Sequence, residues 1–292
     1  MKILETPESL SNFRRHVPAS QVVALVPTMG NLHAGHLALV QAARARADHV
    51  VVSIFVNPTQ FGPGEDFERY PRTVSEDLAL LEPLADSVVL PSVEAMYPGH
   101  VQGAEHTQIR VPATLANQLC GASRPGHFDG VATIVCKLFG MVQPHLAVFG
   151  RKDYQQLVVL RRMVADLNLP VRLQAVPTVR EADGLAMSSR NGYLTPDERA
   201  RAPTLYATLR QARTDILQAV ESGRAITAGQ VESTGVARLA EAGFDPDYFA
   251  VRTVGTLAPP GADPRAWILL GAARLGNTRL IDNLPIVDEA GD

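Results

Sequence analysis

Short, nearly continuous apolar runs recur through the first half of the chain, each closed by a proline, asparagine or glycine and followed by helix formers. Residues 21–26 make the first run, stopped at Pro27, and 36–46 follow with leucine, alanine and arginine at helical spacing. Residues 50–56 are a β-branched run ended by Asn57 and Pro58, the pattern of a strand covered by helices on both faces. Strand, helix and strand within about 35 residues form a βαβ unit with a right-handed crossover. The rhythm then repeats: a helix over 75–85 with Glu76 and Asp77 in its first turn, strands at 87–90, 146–149 and 171–176, helices at 128–142 and 154–168. This predicts an α/β fold built on a doubly wound parallel sheet. After about Thr178 the order changes. Thr195, Pro196 and Glu198 read as N-cap, N1 and N3 of a helix running toward Val220. A helix over 230–243 and strands at 248–251, 267–270 and 279–281 complete the chain. The expected organisation is a larger domain over 1–178 and a smaller C-terminal α+β domain over 179–292.

Composition narrows the class. With 46% apolar and 20% charged residues and a net charge of −3, the 292-residue chain has the makings of a folded core. The mildly acidic balance argues against a nucleic-acid binder, and no apolar run reaches the roughly 18 residues of a membrane span. The opening residues, Met1 to Pro7, lack a signal peptide's apolar stretch, so a cytoplasmic protein is expected. Cys120 and Cys136 show no metal-ligand spacing. Of 27 basic residues, 24 are arginine; the lysines are Lys2, Lys137 and Lys152. A coding bias explains that count, but Lys152 falls at a strand-to-helix turn.

In a doubly wound sheet, ligands bind at the carboxyl ends of the strands. Four polar segments fall there. Pro27 to His36 contains two glycines and precedes a helix whose N-terminal N–H groups suit an anion; His33 and His36, three apart, share a face. A phosphate site, a pair of hydrogen-bonded loop histidines and a metal pair are all open on this pattern alone, although no third His or Cys ligand lies nearby. Neither GxxxxGK[ST] nor GxGxxG is present. Asn57 to Phe61 offers amides without charge. Gly150 to Gln156 brings Lys152, a compact ammonium able to follow a moving phosphate, with Asp153 as an N-cap or a contact. Met187 to Asn191 supplies two hydroxyls and a guanidinium for a phosphate chain, or an exposed loop.

The His33-Ala34-Gly35-His36 loop after a first strand, with a later Ser-Ser-Arg loop, resembles the adenylate-forming, Rossmann-like nucleotidyltransferase superfamily. VPTMGNLHAGH, SIFVNPTQF, YPRT, SRPGHFDGV, GRKDYQQL and MSSRNGYL, in this order, resemble the pantothenate synthetase (pantoate–β-alanine ligase) family from Val22 to about Asn283. Arg151 departs from it, standing where the family usually has Glu. The resemblance implies ATP-dependent condensation of pantoate with β-alanine through pantoyl adenylate, giving pantothenate, AMP and pyrophosphate for the coenzyme A pathway. It implies that ATP is held by Met29, Gly30, Asn31, Leu32, His33, Ala34, Gly35 and His36, by Gly150, Arg151, Lys152 and Asp153, and by Val179, Met187, Ser188, Ser189 and Arg190. His36 is the conventional acid; His33, Lys152 and Arg190 join it as catalytic groups. Gln60 and Gln156 bind pantoate, Mg²⁺ rides on the ATP phosphates with Asp77 as a protein contact, and Arg124 and His127 face the site. The 1–178 domain then binds ATP and pantoate, 179–292 is a lid, and the protein is a homodimer. The rivals are an adenylyl- or cytidylyltransferase for another small molecule and a catalytically silent nucleotide sensor.

Overall fold

The computed structural model describes residues 1–100 and 105–287. The chain divides into two compact units, Met1–Arg151 with Val159–Val176, and Lys152–Val158 with Pro177–Asp292. In the first, six strands form one sheet: β1 (Lys2–Leu4), β2 (Val23–Thr28), β3 (His49–Ile54), β4 (Ser87–Val89), β5 (Leu146–Gly150) and β6 (Arg172–Val176). Their order is β1-β4-β3-β2-β5-β6 and every pairing is parallel. From β2 the chain steps one way to β3 and β4, and later resumes on the other side at β5. That reversal is the switch point of a doubly wound sheet, so the crevice lies past the carboxyl ends of β2 and β5.

Helices α1 (Pro7–His16), α2 (Ala34–Arg44), α3 (Val74–Leu81), the single turns α4 (Val93–Met96), α5 (Ala113–Ala116) and α6 (Cys120–Ser123), α7 (His127–Val142) and α8 (Tyr154–Asp166) connect the strands. Val26, Val40, Val50, Val52, Leu81, Val88, Leu146 and Val148 pack into one core of this unit, which explains why β2 and β3 read as unbroken apolar runs. The hydrophobic pattern missed the single turns α4, α5 and α6, and it missed β1 and α1 as well. β1 is three residues at the sheet edge with Ile3 half exposed, and α1 buries only Leu10 fully. Neither carries enough periodicity to be seen.

Most boundaries shift by a few residues from the sequence expectation (β3 ends at Ile54 and α3 at Leu81), and at two the cause is a proline. β2 does not stop at Pro27 but runs through it to Thr28, paired to β3. Thr28 O accepts the Phe55 N–H on the β3 side, so Pro27 faces β5. Its missing N–H does no harm there, because pairing with β5 has ended at Leu25. The helix expected from Thr195 to Val220 is two: α9 (Pro196–Arg201) and α10 (Thr204–Glu221). Pro203 breaks it, lacking a donor and excluding the carbonyl four residues back. The start is as expected, a capping box in which the Thr195 hydroxyl accepts the Glu198 N–H and the Glu198 carboxylate accepts the Thr195 N–H.

The second unit packs α10 and α11 (Ala228–Glu241) on an antiparallel sheet β7-β8-β9 (Asp245–Thr253, Trp267–Leu275, Thr278–Pro285). Leu205, Leu209, Ile216, Leu239, Phe249, Val251 and Leu269 form its core. A Cβ on Gly235 of α11 would sit 2.3 Å from the Phe249 ring, so glycine sets that helix–strand approach. Among the described residues, no helix is long and apolar enough to cross a membrane.

Candidate active site

The loop between β2 and α2 is built around a buried carboxylate. Asp77, in the first turn of α3 and 1% exposed, accepts the Asn31 N–H on Oδ2 at 2.9 Å and the Leu32 N–H on Oδ1 at 2.7 Å. The Thr73 hydroxyl donates to the same Oδ1 at 3.3 Å. Gly30 has φ +82°, and a Cβ there would lie 2.9 Å from Asp77 Oδ2 and 3.0 Å from Ile54. Glycine is needed twice over, for the left-handed turn and for the close approach.

His33 is the N-cap of α2: its Nδ1 accepts the Gly35 N–H at 3.1 Å, and the His33 N–H points at His36 Nδ1 at 3.4 Å. A ring nitrogen that accepts carries no proton, so both neutral imidazoles hold theirs on Nε2. The rings lie 4.1 Å apart. Two Nε2–H donors thus stand together at the N-terminus of a helix, a setting for anionic oxygen.

The amides after β3 are ordered by an adjoining network. Asn57 is 1% exposed; its Oδ1 accepts hydroxyls from Thr59 and Tyr97, both at 3.0 Å, so its Nδ2 must donate, to Gly130 O at 3.2 Å and to Gln60 Oε1 at 3.1 Å. That fixes the Gln60 amide: its Nε2 turns to Met29 Sδ at 3.2 Å. Burial pushes the Tyr97 hydroxyl's pKa up, keeping it a donor. A Cβ on Gly130 would collide with Thr59 O at 2.3 Å, so α7 can reach the Asn57–Gln60 turn only with glycine there.

Arg124 and His127 grip the Gln60 backbone. His127 Nδ1 donates to Gln60 O at 2.8 Å, while its Nε2 accepts from Arg124 Nη1 at 3.0 Å. Arg124 adds a bond to the same carbonyl at 3.3 Å and takes Glu65 in a two-pronged pair, both at 2.6 Å. Burial raises the Glu65 pKa, but the Arg124 bonds and charge outweigh it and hold the carboxyl below its ordinary range.

In the second unit the expected residues gather along β9. Asn283, 6% exposed, donates to the Lys152 carbonyl at 2.8 Å. Lys152 Nζ lies 3.9 Å from Asp153, with its side chain 19% exposed. Next to Asn283, Asp282 takes Arg180 two-pronged at 2.6 and 2.9 Å, and that guanidinium lies 3.5 Å over the Tyr206 ring. The 3₁₀ turn Ser189–Tyr193 also packs on β9; Ser188 caps it, its hydroxyl accepting the Arg190 N–H at 3.2 Å. Met187 N donates to Val179 O at 3.0 Å, joining two expected nucleotide contacts. Gln156 is half buried in the first turn of α8, with Gln155 the buried neighbour.

Within the first unit, then, Gln60 meets Met29, Asp77 binds the Asn31 and Leu32 N–H groups and His33 meets His36, all at one loop, and within the second the Lys152 carbonyl and the turn beginning at Ser189 both contact β9. Sequence reasoning missed Glu65, Thr73, Asp282 and Asn283. Glu65, Asp282 and Asn283 have partners 59, 102 and 131 positions away along the chain, with no local pattern to mark them, whereas Thr73 bonds Asp77 only four positions on.

The family model for pantoate–β-alanine ligase matches residues 2–285. A pantothenate synthetase from Azotobacter vinelandii is 54% identical over 265 residues, 90% of this chain and 91% of that protein. The crystal structure of pantothenate synthetase from Thermus thermophilus superposes with a TM-score of 0.88 at 45% identity, covering 99% of this chain and 100% of that one. The Francisella tularensis pantoate–β-alanine ligase, solved with β,γ ATP and β-alanine, gives 0.81 at 30% identity over 98% of each chain. Matched by that family model over residues 2–285 and by these relatives over nine-tenths or more of its length, the chain belongs to the pantoate–β-alanine ligase family of enzymes.

Proposed function

We propose that this chain condenses pantoate with β-alanine at the expense of ATP, through pantoyl adenylate, releasing pantothenate, AMP and pyrophosphate. The observation that carries the reading is the β2–α2 loop, where two histidines held as Nε2–H donors adjoin, through Met29, the fixed amide of Gln60. Anion donors and a hydroxy-acid amide side by side suit a carboxylate that must attack a phosphate.

In this mechanism the rings of His33 and His36, with the Met29 and Ala34 backbone, meet the phosphates, with His36 as the acid, while Gly30, Asn31, Leu32 and Gly35 shape the loop, their N–H groups being taken by Thr28, Asp77 and His33. Gly150, Arg151, Asp153, Val179 and Met187 shape the nucleotide subsite. Lys152, Ser188, Ser189 and Arg190 neutralise charge on the transferring phosphate. Gln60 and Gln156 orient pantoate so that a carboxylate oxygen attacks the α-phosphorus and pyrophosphate departs with the electron pair. The β-alanine amine then attacks the acyl carbon, and AMP leaves. Alignment of reactants supplies about 7–11 kcal/mol, and one preorganised charge contact about 3–4 kcal/mol, so positioning leads. Residues 179–292 act as a lid that keeps water from the adenylate. The protein works as a homodimer in the cytoplasm, a reading that rests on the family resemblance.

Mg²⁺ belongs to the ATP. Asp77 does not fit a metal cage, since both its oxygens already accept backbone N–H groups. Among the described residues, no group of three or more His, Cys, Asp or Glu is placed to hold a metal ion.

The Glu65–Arg124–His127 latch gives a test of pantoate binding. Glu65→Gln is expected to raise the KM for pantoate roughly tenfold, the order of one charge-assisted bond, with kcat little changed. The folded-state carboxyl is held below its ordinary range, so its stabilising effect is full at neutral pH and fades as pH falls through the folded value. The thermal-midpoint gap between wild type and variant should therefore be constant near neutrality and close in acid. An unchanged KM would remove the latch from substrate binding.

The reaction itself is tested by pyrophosphate release from pantoate and MgATP without β-alanine, followed by pantothenate and AMP when β-alanine is added. No pyrophosphate with pantoate rejects the proposal in favour of another nucleotidyltransferase; ATP bound but never cleaved favours a sensor.

A further inference from the structure

We infer that Asp77 is the positioning residue of the His33–His36 loop: its buried carboxylate is a fixed anion bound by the loop's own backbone, not a ligand to the nucleotide's metal. The inference deepens the proposed function, because it gives the phosphate-binding conformation a physical cause. Oδ1 has two lone pairs and both are used, by the Leu32 N–H at 2.7 Å and the Thr73 hydroxyl at 3.3 Å. Oδ2 takes the Asn31 N–H at 2.9 Å and is walled in by the Gly30 backbone, where even a methyl group would touch it at 2.9 Å. At 1% exposure the carboxylate has no open side from which a hydrated cation could reach it.

The loop needs this anion. Asn31 has φ +49°, a left-handed conformation that costs a non-glycine residue free energy, and it directly follows the left-handed Gly30. Two successive left-handed residues aim the Asn31 and Leu32 N–H groups inward at one point, and Asp77 stands there. The position of Asp77 in the first turn of α3 favours a negative charge. Two residues beyond Asn31, His33 caps the start of α2. Asp77 thus sets where the two imidazoles begin, without touching the phosphates.

Asp77→Asn keeps the size and one acceptor but turns an amide N–H₂ toward a backbone N–H. Hydrogen exchange of the segment 29–37 in the metal-free, nucleotide-free protein reads the clamp directly. Wild type should protect Asn31 and Leu32, and the variant should lose that protection by roughly 10-fold or more. In turnover, kcat for pyrophosphate release should fall roughly 10- to 100-fold, with the pantoate KM and the half-saturating Mg²⁺ concentration unchanged. Leu81→Ala, which hollows the core at the opposite end of the same helix from Asp77 and leaves the Asp77 bonds in place, should lower the thermal midpoint yet keep kcat. Protection that is unaffected by Asp77→Asn, or that appears only on adding Mg²⁺, would overturn the inference. So would a variant whose activity is restored by excess Mg²⁺, or a Leu81→Ala enzyme that loses kcat equally. Because exchange is read without substrate, the clamp can stand even if pantoate fails to release pyrophosphate from wild type.

Discussion

Replacing Lys152 with alanine is expected to lower the turnover of pyrophosphate release roughly 10²- to 10³-fold, the cost of one preorganised charge at a developing oxyanion. The thermal midpoint should barely move. The local backbone is anchored by Asn283 at the Lys152 carbonyl, a bond that the substitution leaves in place. The ammonium's contact with Asp153, at 3.9 Å on a half-exposed carboxylate, contributes little to stability. Lys152→Arg should recover only part of the rate, because a rigid fork cannot track a phosphate that moves as a point charge can. The measurement is steady-state pyrophosphate release beside a thermal melt. Turnover within about threefold of wild type in Lys152→Ala would end the assignment.

The second large effect is expected at the paired histidines. His33→Asn and His36→Asn each keep an acceptor oxygen near the place of Nδ1, so the cap of α2 survives; asparagine is among the best N-cap residues. What each loses is the Nε2–H donor. Turnover should fall roughly 10²- to 10³-fold for His36→Asn and by a comparable factor for His33→Asn, while helix content and melting stay near wild type. Alanine at 33 would confuse the two roles, removing donor and cap at once. Full activity in both asparagine variants would reduce these histidines to loop structure, the alternative that their spacing leaves open.

Legibility in the sequence differs from element to element. β2, β3 and β5 can be read from composition because strands buried on both faces must be apolar at nearly every position. The Thr195–Glu198 capping box is local chemistry within four residues and is equally plain. The broken helix at Pro203 shows the limit of periodicity: the apolar spacing continues through the proline, and only the missing donor and the ring stop the helix. β1 and α1 stay hidden because a short edge strand and a helix with one fully buried side chain leave little pattern.

The site divides the same way. Its residue types are visible, since glycines, histidines, amides and Lys152 all follow strand ends, where backbone groups are free to meet a ligand. Their arrangement is not. The parallel α/β architecture and the family could be read from the order of residues alone, because both depend on patterns that run locally along the chain. Folding in three dimensions was needed to establish that Asp77 closes on the loop 45 positions before it, that Glu65 reaches Arg124 across 59 positions, and that Asn283 secures Lys152 across 131. A hydrogen bond specifies a distance of about 3 Å and nothing about chain separation, so partners brought together by folding leave no spacing to read.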